Sequence, residues 1–586
     1  MKVNRVLLLV AAIVVSASLA NAADPSSVLY ERNVAVKMRD GVTLRADIYR
    51  PKADGKFPVL LQRTPYDKNN EADMGLAGVA RGYVVIVQDV RGRYASPGEW
   101  YTFKHESEDG YDTIEWAAAL PYSDGRVGMF GGSYVGATQM LAAIARPPHL
   151  AGICPVVTAS NYHENWTYQG GAFEQWFNES WTSGLAQDTM NRVVHDQSNA
   201  TKGMWQLPLT TYPLFNFPPT TGADYSTAAI APYFLDWLAH PTYDDYWKKV
   251  SIEEHFADIN VPALHIPAWY DIFQDGSLKN YIGIKTKGGE AARKNQHLLM
   301  IIGGHAGNGQ KVGEVDFGTQ AAFDEKETTL AWYDFLFNGA KNQFAGKPVK
   351  IFVMGTNQWR EEDDWPLARA RNTKYFLHSA GKANSLRGDG TLSTTAPKAE
   401  SSDQYVYDPA NPAPTAGGPL CCDARRLGGP VDQRAVEARD DVLVFSTSAM
   451  TQDTEVTGPV SLELYVKSTA VDTDFTAKLV DVWPNGFAQN LTEGILRARY
   501  RNSNEKAEWL NPGEVYKLNL NLWSTSNVFR KGHVLRLEVS SSNFPRFDRN
   551  PNTGETVATA QRFVSATNAI YHDAEHPSAL TLPVVP

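Results

Sequence analysis

The stretch RVGMFGGSYVGATQM, residues 126–140, decides how this chain is read. RVGMF has the apolar run of a short strand, and YVGATQMLAAIA, residues 134–145, reads as a helix stopped by Pro147-Pro148. Between them stands Ser133, flanked by Gly131, Gly132 and Gly136. A serine at a strand-to-helix elbow projects its Oγ beyond the sheet edge. The helix N-terminus behind it offers backbone N–H groups to a developing oxyanion. The general pattern is G-x-S-x-G. Gly131 fits it, Val135 stands where the second glycine belongs, and Gly136 follows one residue later. Gly-Ser turns also occur at strand–helix junctions that do no chemistry, so the surrounding chain must decide.

Working outward, VAVKMRDGVTLRADIYRP (34–51) reads as two strands joined at Asp40-Gly41, a hairpin signal. PVLLQRTPY (58–66) and GYVVIVQDVRG (82–92) are near-continuous apolar strands, the pattern of a sheet buried on both faces. Residues 108–119 are spaced as a helix, and AGICPVV (151–157) is again a strand. This alternation predicts an α/β domain with a mostly parallel sheet. Between residues 161 and 257 the pattern changes: Trp166, Trp176, Trp181, Trp205, Trp237 and Trp247 crowd among helix-compatible and Pro-rich stretches, as in an inserted helical cap. Alternation then resumes with VPALHIPAW as one strand, DGSLKNYIGIKT as a helix, HLLMIIGG as a strand and DEKETTLAWYDFLF as a helix closed by Gly339. Beyond residue 345 helical periodicity nearly disappears. Val460, Leu462, Leu464 and Val466 alternate with polar residues, and Leu518–Leu522 and Leu535–Val539 repeat the pattern of half-buried antiparallel strands. The expected organisation is an α/β core over residues 23–160 and 258–343, a helical cap over 161–257, and a β-sandwich over 344–586.

Of the 586 residues, 43% are hydrophobic and 20% charged, which is ordinary for a globular protein. The net charge of −10 comes without any basic block, which argues against nucleic acid as a partner. Lys2 and Arg5 precede an apolar run to Ala20, too short to span a membrane, and Ala20-Asn21-Ala22 suits a signal peptidase. Residues 1–22 are therefore expected to be a cleaved signal peptide, giving a secreted or periplasmic protein with no membrane partner after cleavage. Of the three cysteines, Cys154 sits in an apolar run as a small hydrophobe. Cys421 and Cys422 are adjacent, where a ring would be strained, and their state stays open. No metal-ligand spacing appears, and no cofactor is called for.

A serine nucleophile needs a base, and the base an orienting carboxylate. In α/β-hydrolases these follow in the order Ser, acid, His, each on a loop after a strand. VPALHIPAWY delivers Asp271 and HLLMIIGG delivers His305. The rivals His265 and His297 lie within or before strands.

Several motifs together resemble the cocaine esterase, α-amino acid ester hydrolase, glutaryl acylase and Xaa-Pro dipeptidyl-peptidase family. Its elbow is G-x-S-Y-x-G, which Gly131–Gly136 match, and this accounts for the displaced glycine. PVLLQRTPYDK resembles its strand ending in P-Y-D, DVRGRYASPGEW its D-x-R-G loop, and AWYD its W-x-D acid motif. WYDFLFNG, PVKIFVMGTNQWR and VDQRAVEARDDVLVF resemble its domain junction and C-terminal jelly roll. The resemblance implies an α/β-hydrolase with Ser133 as nucleophile, Asp271 as acid and His305 as base. It also implies an oxyanion hole made by the Tyr134 backbone N–H and the Tyr66 hydroxyl. The histidine motif departs from relatives, being Gly303-Gly304-His305 without a preceding Pro-Trp.

The expected activity is hydrolysis of a small-molecule ester or acyl amide, without cofactor or metal; the oligomeric state stays open. Amino acid ester hydrolases carry acids two and three positions after the catalytic Asp, where this chain has Phe273 and Gln274. Glu164 and Asp275 are candidate substitutes, and Trp166, Trp176 and Trp181 are candidates to line an acyl pocket. The alternatives are an Xaa-Pro dipeptidyl aminopeptidase and, from another class, a non-catalytic saccharide-binding protein.

Overall fold

The computed structural model describes residues 27–193, 208, 226–305, 309–422 and 425–586. The expected signal peptide and Trp205 lie outside them.

The apolar runs of the N-terminal half assemble into one sheet whose middle is buried on both faces, as the unbroken burial of Val84–Asp89 requires. An antiparallel hairpin, Val28–Lys37 and Thr43–Pro51, forms one edge and pairs onto Val84–Asp89. From there Phe57–Thr64, Ser123–Gly132, Leu150–Val156, Ala263–His265, Gln296–Gly304 and Val349–Val353 follow in parallel register. The chain leaves Phe57–Thr64, skips outward to Val84–Asp89, and returns past it to Ser123–Gly132. Such a reversal opens a crevice at the C-terminal strand ends, where α/β sheets place their ligands.

One expectation changes here. VPALHIPAW is not one strand: Pro267 has no N–H for the ladder, so Ala263–His265 and Ala268–Tyr270 pair separately with Gln296–Gly304. Val349–Val353 adds in parallel to Gln296–Gly304, and Gln358–Glu362 closes that edge, so both strands extend the first sheet. Val349 and Ile351–Val353 are buried, and an apolar run does not say which sheet a strand joins.

The second half is a β-rich domain of eleven strands. Val460, Leu462, Leu464 and Val466 are all buried, as are Leu518, Leu520 and Leu522, so the period-two pattern marks the inward face. Cys421 and Cys422 are bonded to each other, and Cys154 is free and buried. The described cap residues include the helices Gln175–Val193 and Pro232–Ala239. Among the described residues no helix is long and apolar enough to cross a membrane.

The two halves meet along the cap. Arg497 donates its backbone N–H to the Gly170 carbonyl at 2.8 Å, and Asp548 accepts from the Phe173 N–H at 2.7 Å. Buried Arg497 in turn holds Asp474 and Asp548, each at 2.9 Å. Gln274 exchanges two hydrogen bonds with the Ser524 backbone, which fixes the loop after Asp271.

Candidate active site

Each reactive side chain sits one step past a register pair in the sheet. Gly132 pairs with Val156, and the Ser133 N–H donates to the Val156 carbonyl at 3.0 Å. Ser133 then turns at φ 61°, ψ −126°, a conformation that costs a non-glycine residue about 1–3 kcal/mol. The flanking glycines are steric requirements of that turn. A Cβ on Gly131, itself at φ 120°, would strike Val135, and one on Gly136 would come within 2.7 Å of Thr158 Cβ. Gly136 therefore lets the helix Tyr134–Ile144 pack closely against the residues after Val156.

Tyr270 pairs with Gly304, so the next residues, Asp271 and His305, come together. His305 Nδ1 lies 2.6 Å from Asp271 Oδ2, and His305 Nε2 lies 2.8 Å from Ser133 Oγ. Asp271 is fully buried, and its other oxygen accepts from the Phe273 N–H at 2.7 Å. An ionised carboxylate only accepts, so Nδ1 carries the proton and Nε2 is free to take one from Ser133. His265 is buried against Gln296, and His297 packs on Trp332; neither meets Ser133.

Tyr66 lines the same cavity as Ser133, and burial raises the pKa of its phenol, keeping it protonated. Trp181 Nε1 donates to the same oxygen at 3.0 Å. With one lone pair engaged, the Tyr66 hydrogen is left to point away from Trp181. The Tyr134 ring is fully buried: its hydroxyl accepts from the Phe103 N–H at 2.7 Å and donates to Glu106 at 3.1 Å. Only the Tyr134 backbone faces the chemistry.

The loop carrying Tyr66 is pinned by residues that motif spacing alone does not single out. Arg93, buried, donates to the Pro65 carbonyl at 3.0 Å and to Leu185 of the cap helix at 2.7 Å. Asp89, its carboxyl pushed up to about 6 by burial, accepts from the Lys68 N–H at 2.8 Å. Both belong to the DVRGR run, so the legible signal was a charged loop directly after a buried strand.

The three cap tryptophans separate. Trp181 joins the site through Tyr66. Trp166 stacks on Phe273 at 4.4 Å, and Phe273 meets the His305 ring edge-on at 5.0 Å, forming an aromatic wall. Trp176 does not join them: it packs with Leu420 and Phe544 of the β-rich domain, and its backbone N–H donates to the Pro545 carbonyl. Five residues from Trp181 on one helix, it faces another way. Asp275 does not offer a free acidic site, whereas Glu164 keeps one buried oxygen, Oε2, without a hydrogen-bond partner. Asp275 is paired with Lys279 at 2.9 Å, and Glu164 accepts from the Gly170 N–H at 2.8 Å.

Ser133, Tyr66 and His305 open onto a cavity of about 390 Å³. A larger one of about 690 Å³, between Tyr101 and Asp258, touches none of them. Among the described residues no group of three His, Cys, Asp or Glu side chains is placed to hold a metal ion.

Residues 40–307 match the X-Pro dipeptidyl-peptidase (S15 family) model, and residues 342–581 match that of the X-Pro dipeptidyl-peptidase C-terminal non-catalytic domain. The cocaine esterase of Rhodococcus sp. (strain MB1 Bresler) is 38% identical over 583 residues, spanning 94% of this chain and 98% of that protein. An aminopeptidase from a marine sediment Thaumarchaeota archaeon superposes with a TM-score of 0.82 at 25% identity, over 96% of this chain and 97% of that one. An α-amino acid ester hydrolase superposes with a TM-score of 0.81 at 24% identity, over 98% and 100%.

Proposed function

This chain belongs to the family of serine hydrolases that holds the cocaine esterase and the X-Pro dipeptidyl-peptidases, and we propose that it is an ester hydrolase working through an acyl-enzyme on Ser133. The observation that carries this reading is the unbroken chain Ser133–His305–Asp271, with contacts of 2.8 and 2.6 Å, beneath the Tyr66 phenol.

His305 Nε2 takes the Ser133 proton as Oγ attacks the carbonyl, and Asp271 stabilises the imidazolium that forms. The oxyanion is received by the Tyr134 N–H and the Tyr66 O–H, which Trp181 orients as a donor. His305 then protonates the leaving group. Water, deprotonated by the same His305, releases the acyl group from Ser133. The aromatic wall of Phe273 and Trp166 beside His305 suits an apolar acyl group. The resemblance to an esterase favours ester over amide. Export to a secreted or periplasmic location rests on the sequence of residues 1–22.

The second reading, release of Xaa-Pro dipeptides, has the family models and the archaeal aminopeptidase in its favour. Turnover of p-nitrophenyl esters, β-lactam side-chain amides and Xaa-Pro anilides side by side separates the two. An ester hydrolase shows its highest kcat/KM on the esters, and a higher value on Xaa-Pro anilides overturns that assignment. Labelling by a fluorophosphonate probe, lost in Ser133→Ala, excludes a non-catalytic binding protein.

A further inference from the structure

The Tyr134 N–H that receives the oxyanion shares its peptide plane with the Ser133 carbonyl. A trans peptide points its C=O and its N–H in opposite directions, so whatever fixes the carbonyl aims the donor. The helix supplies one such bond: the Ala137 N–H donates to the Ser133 carbonyl at 3.0 Å. A carbonyl oxygen has a second lone pair, and here it is taken from outside the helix. Thr158 Oγ1 donates to the same oxygen at 2.9 Å. Two donors arriving from different elements leave that peptide plane little freedom to rotate.

Thr158 is itself held by the element that follows the acid. It comes two residues after Val156, the register partner of Gly132. Between them the chain turns at Val157, whose φ of 38° is an outlier for a β-branched residue and needs its surroundings to hold it. Ser277 stands on the helix Gln274–Lys287, which begins just after Asp271. Its hydroxyl accepts from the Thr158 N–H at 3.0 Å and donates to the Thr158 carbonyl at 2.8 Å. One buried hydroxyl thus closes both main-chain groups of Thr158. From the same helix Asn280 donates to the Ala159 carbonyl at 3.1 Å. A Cβ on Gly276 would come within 2.9 Å of Ala159 Cα, so the helix lies directly on this segment. Thr158 and Ser277 are both buried, and neither lines the cavity at Ser133. Their influence on the reaction runs through Ser133 and Tyr134.

We propose that Thr158 is a positioning residue of the oxyanion hole, with Ser277 as its anchor: Thr158 Oγ1 fixes the Ser133 carbonyl and thereby the aim of the Tyr134 N–H. This rests on the Ser133 reading above, because it concerns the donor to that serine's tetrahedral adduct. A hydrogen bond to the carbonyl also polarises the peptide, which strengthens its N–H as a donor. The helix that follows Asp271 therefore does two things. It anchors the acid behind His305, and through Ser277 and Thr158 it sets the donor in front of Ser133. The requirement at position 158 is a hydroxyl, since valine has the shape of threonine and no proton to give.

The test measures kcat, KM and thermal midpoint on p-nitrophenyl benzoate, and Ki for phenylboronic acid, whose adduct on a serine Oγ is tetrahedral and anionic. Thr158→Val is expected to lower kcat about five- to tenfold with KM nearly unchanged. The boronate Ki rises by a similar factor, because the donor counts only toward the tetrahedral state. Thr158→Ser, which keeps the hydroxyl, returns kcat to within about twofold of the wild type. Ser277→Ala shows a smaller loss of the same kind and adds almost nothing in the Thr158→Val background. A merely structural Thr158 gives the opposite pattern: a lower midpoint, with kcat and boronate Ki of the folded protein near wild type. That pattern overturns the proposal, as does a loss carried by KM, a Thr158→Ser as slow as Thr158→Val, or full additivity with Ser277→Ala. Where Thr158→Val does not fold, Thr158→Ser and Ser277→Ala decide by the same kcat and Ki readings. Ser133→Ala run in parallel keeps the two claims apart: turnover surviving in it refutes the serine mechanism, whereas the Thr158 series judges only the positioning.

Discussion

The corner around Ser133 and the seam between the cap and the β-rich domain both bury polar groups, in opposite ways. Along the seam charges are held by fixed opposites: Arg497 spans Asp474 and Asp548, Arg499 holds Asp472 at 2.7 Å, and Arg546 lies 3.3 Å from Glu174. Around Ser133 the groups are held from behind and open in front. Asp271 is bonded away from the cavity, Tyr66 is held by Trp181, and the strained Ser133 faces free space. The seam is built for cohesion and the corner for reaction. They connect physically: Asp548 fixes the Phe173 backbone just ahead of the helix Gln175–Val193, and that helix carries Trp181 to Tyr66.

If this contrast holds, corner variants lose rate without stability and seam variants lose stability first. The largest effect is expected from Asp271→Asn, which keeps the shape but cannot hold His305 in the right tautomer. Its kcat should fall about 10⁴-fold with an unchanged thermal midpoint. A midpoint that drops with the rate would show that Asp271 is structural. On the seam, Arg497→Met strands Asp474 and Asp548 in the interior, with an expected loss of about 3–5 kcal/mol in denaturant unfolding. A loss below about 1 kcal/mol would remove the seam from the comparison.

Tyr66→Phe takes one oxyanion donor and keeps the ring. It should cost about 10²–10³ in kcat with KM nearly unchanged. Retention within about threefold would make Tyr66 a packing residue. The smallest effect is that of Trp181→Phe, about two- to tenfold in kcat, from a net hydrogen bond of about 0.5–1.5 kcal/mol. Because Trp181 acts through Tyr66, the change should add almost nothing in a Tyr66→Phe background; full additivity would sever the link.

The corner was largely legible in the sequence because strand ends and turns announce themselves locally. Gly131 and Gly136 flag a turn that tolerates no Cβ, and Asp271 and His305 each follow an apolar run. The period-two pattern of Leu462, Leu464 and Val466 likewise marked the buried face of the β-rich domain. What was not legible depends on contacts between distant segments. Trp176 and Trp181 look alike in sequence, and only the neighbouring domain separates them. Glu71 and Glu325 belong to no motif in the sequence, and only the fold brings them to one cavity. Val349–Val353 and Gln358–Glu362 pair with the first sheet, which their sequence does not announce because an apolar run encodes burial and not a partner.

The central claim is that Ser133 carries the acyl group, and the most direct test is to catch it there. The protein is mixed with p-nitrophenyl benzoate, quenched in acid during the first turnover, digested and mapped by mass spectrometry. The account predicts a benzoyl adduct on the peptide containing Ser133, absent from Ser133→Ala, whose kcat falls on the order of 10⁶-fold. An adduct on another residue, or wild-type turnover by Ser133→Ala, would contradict it.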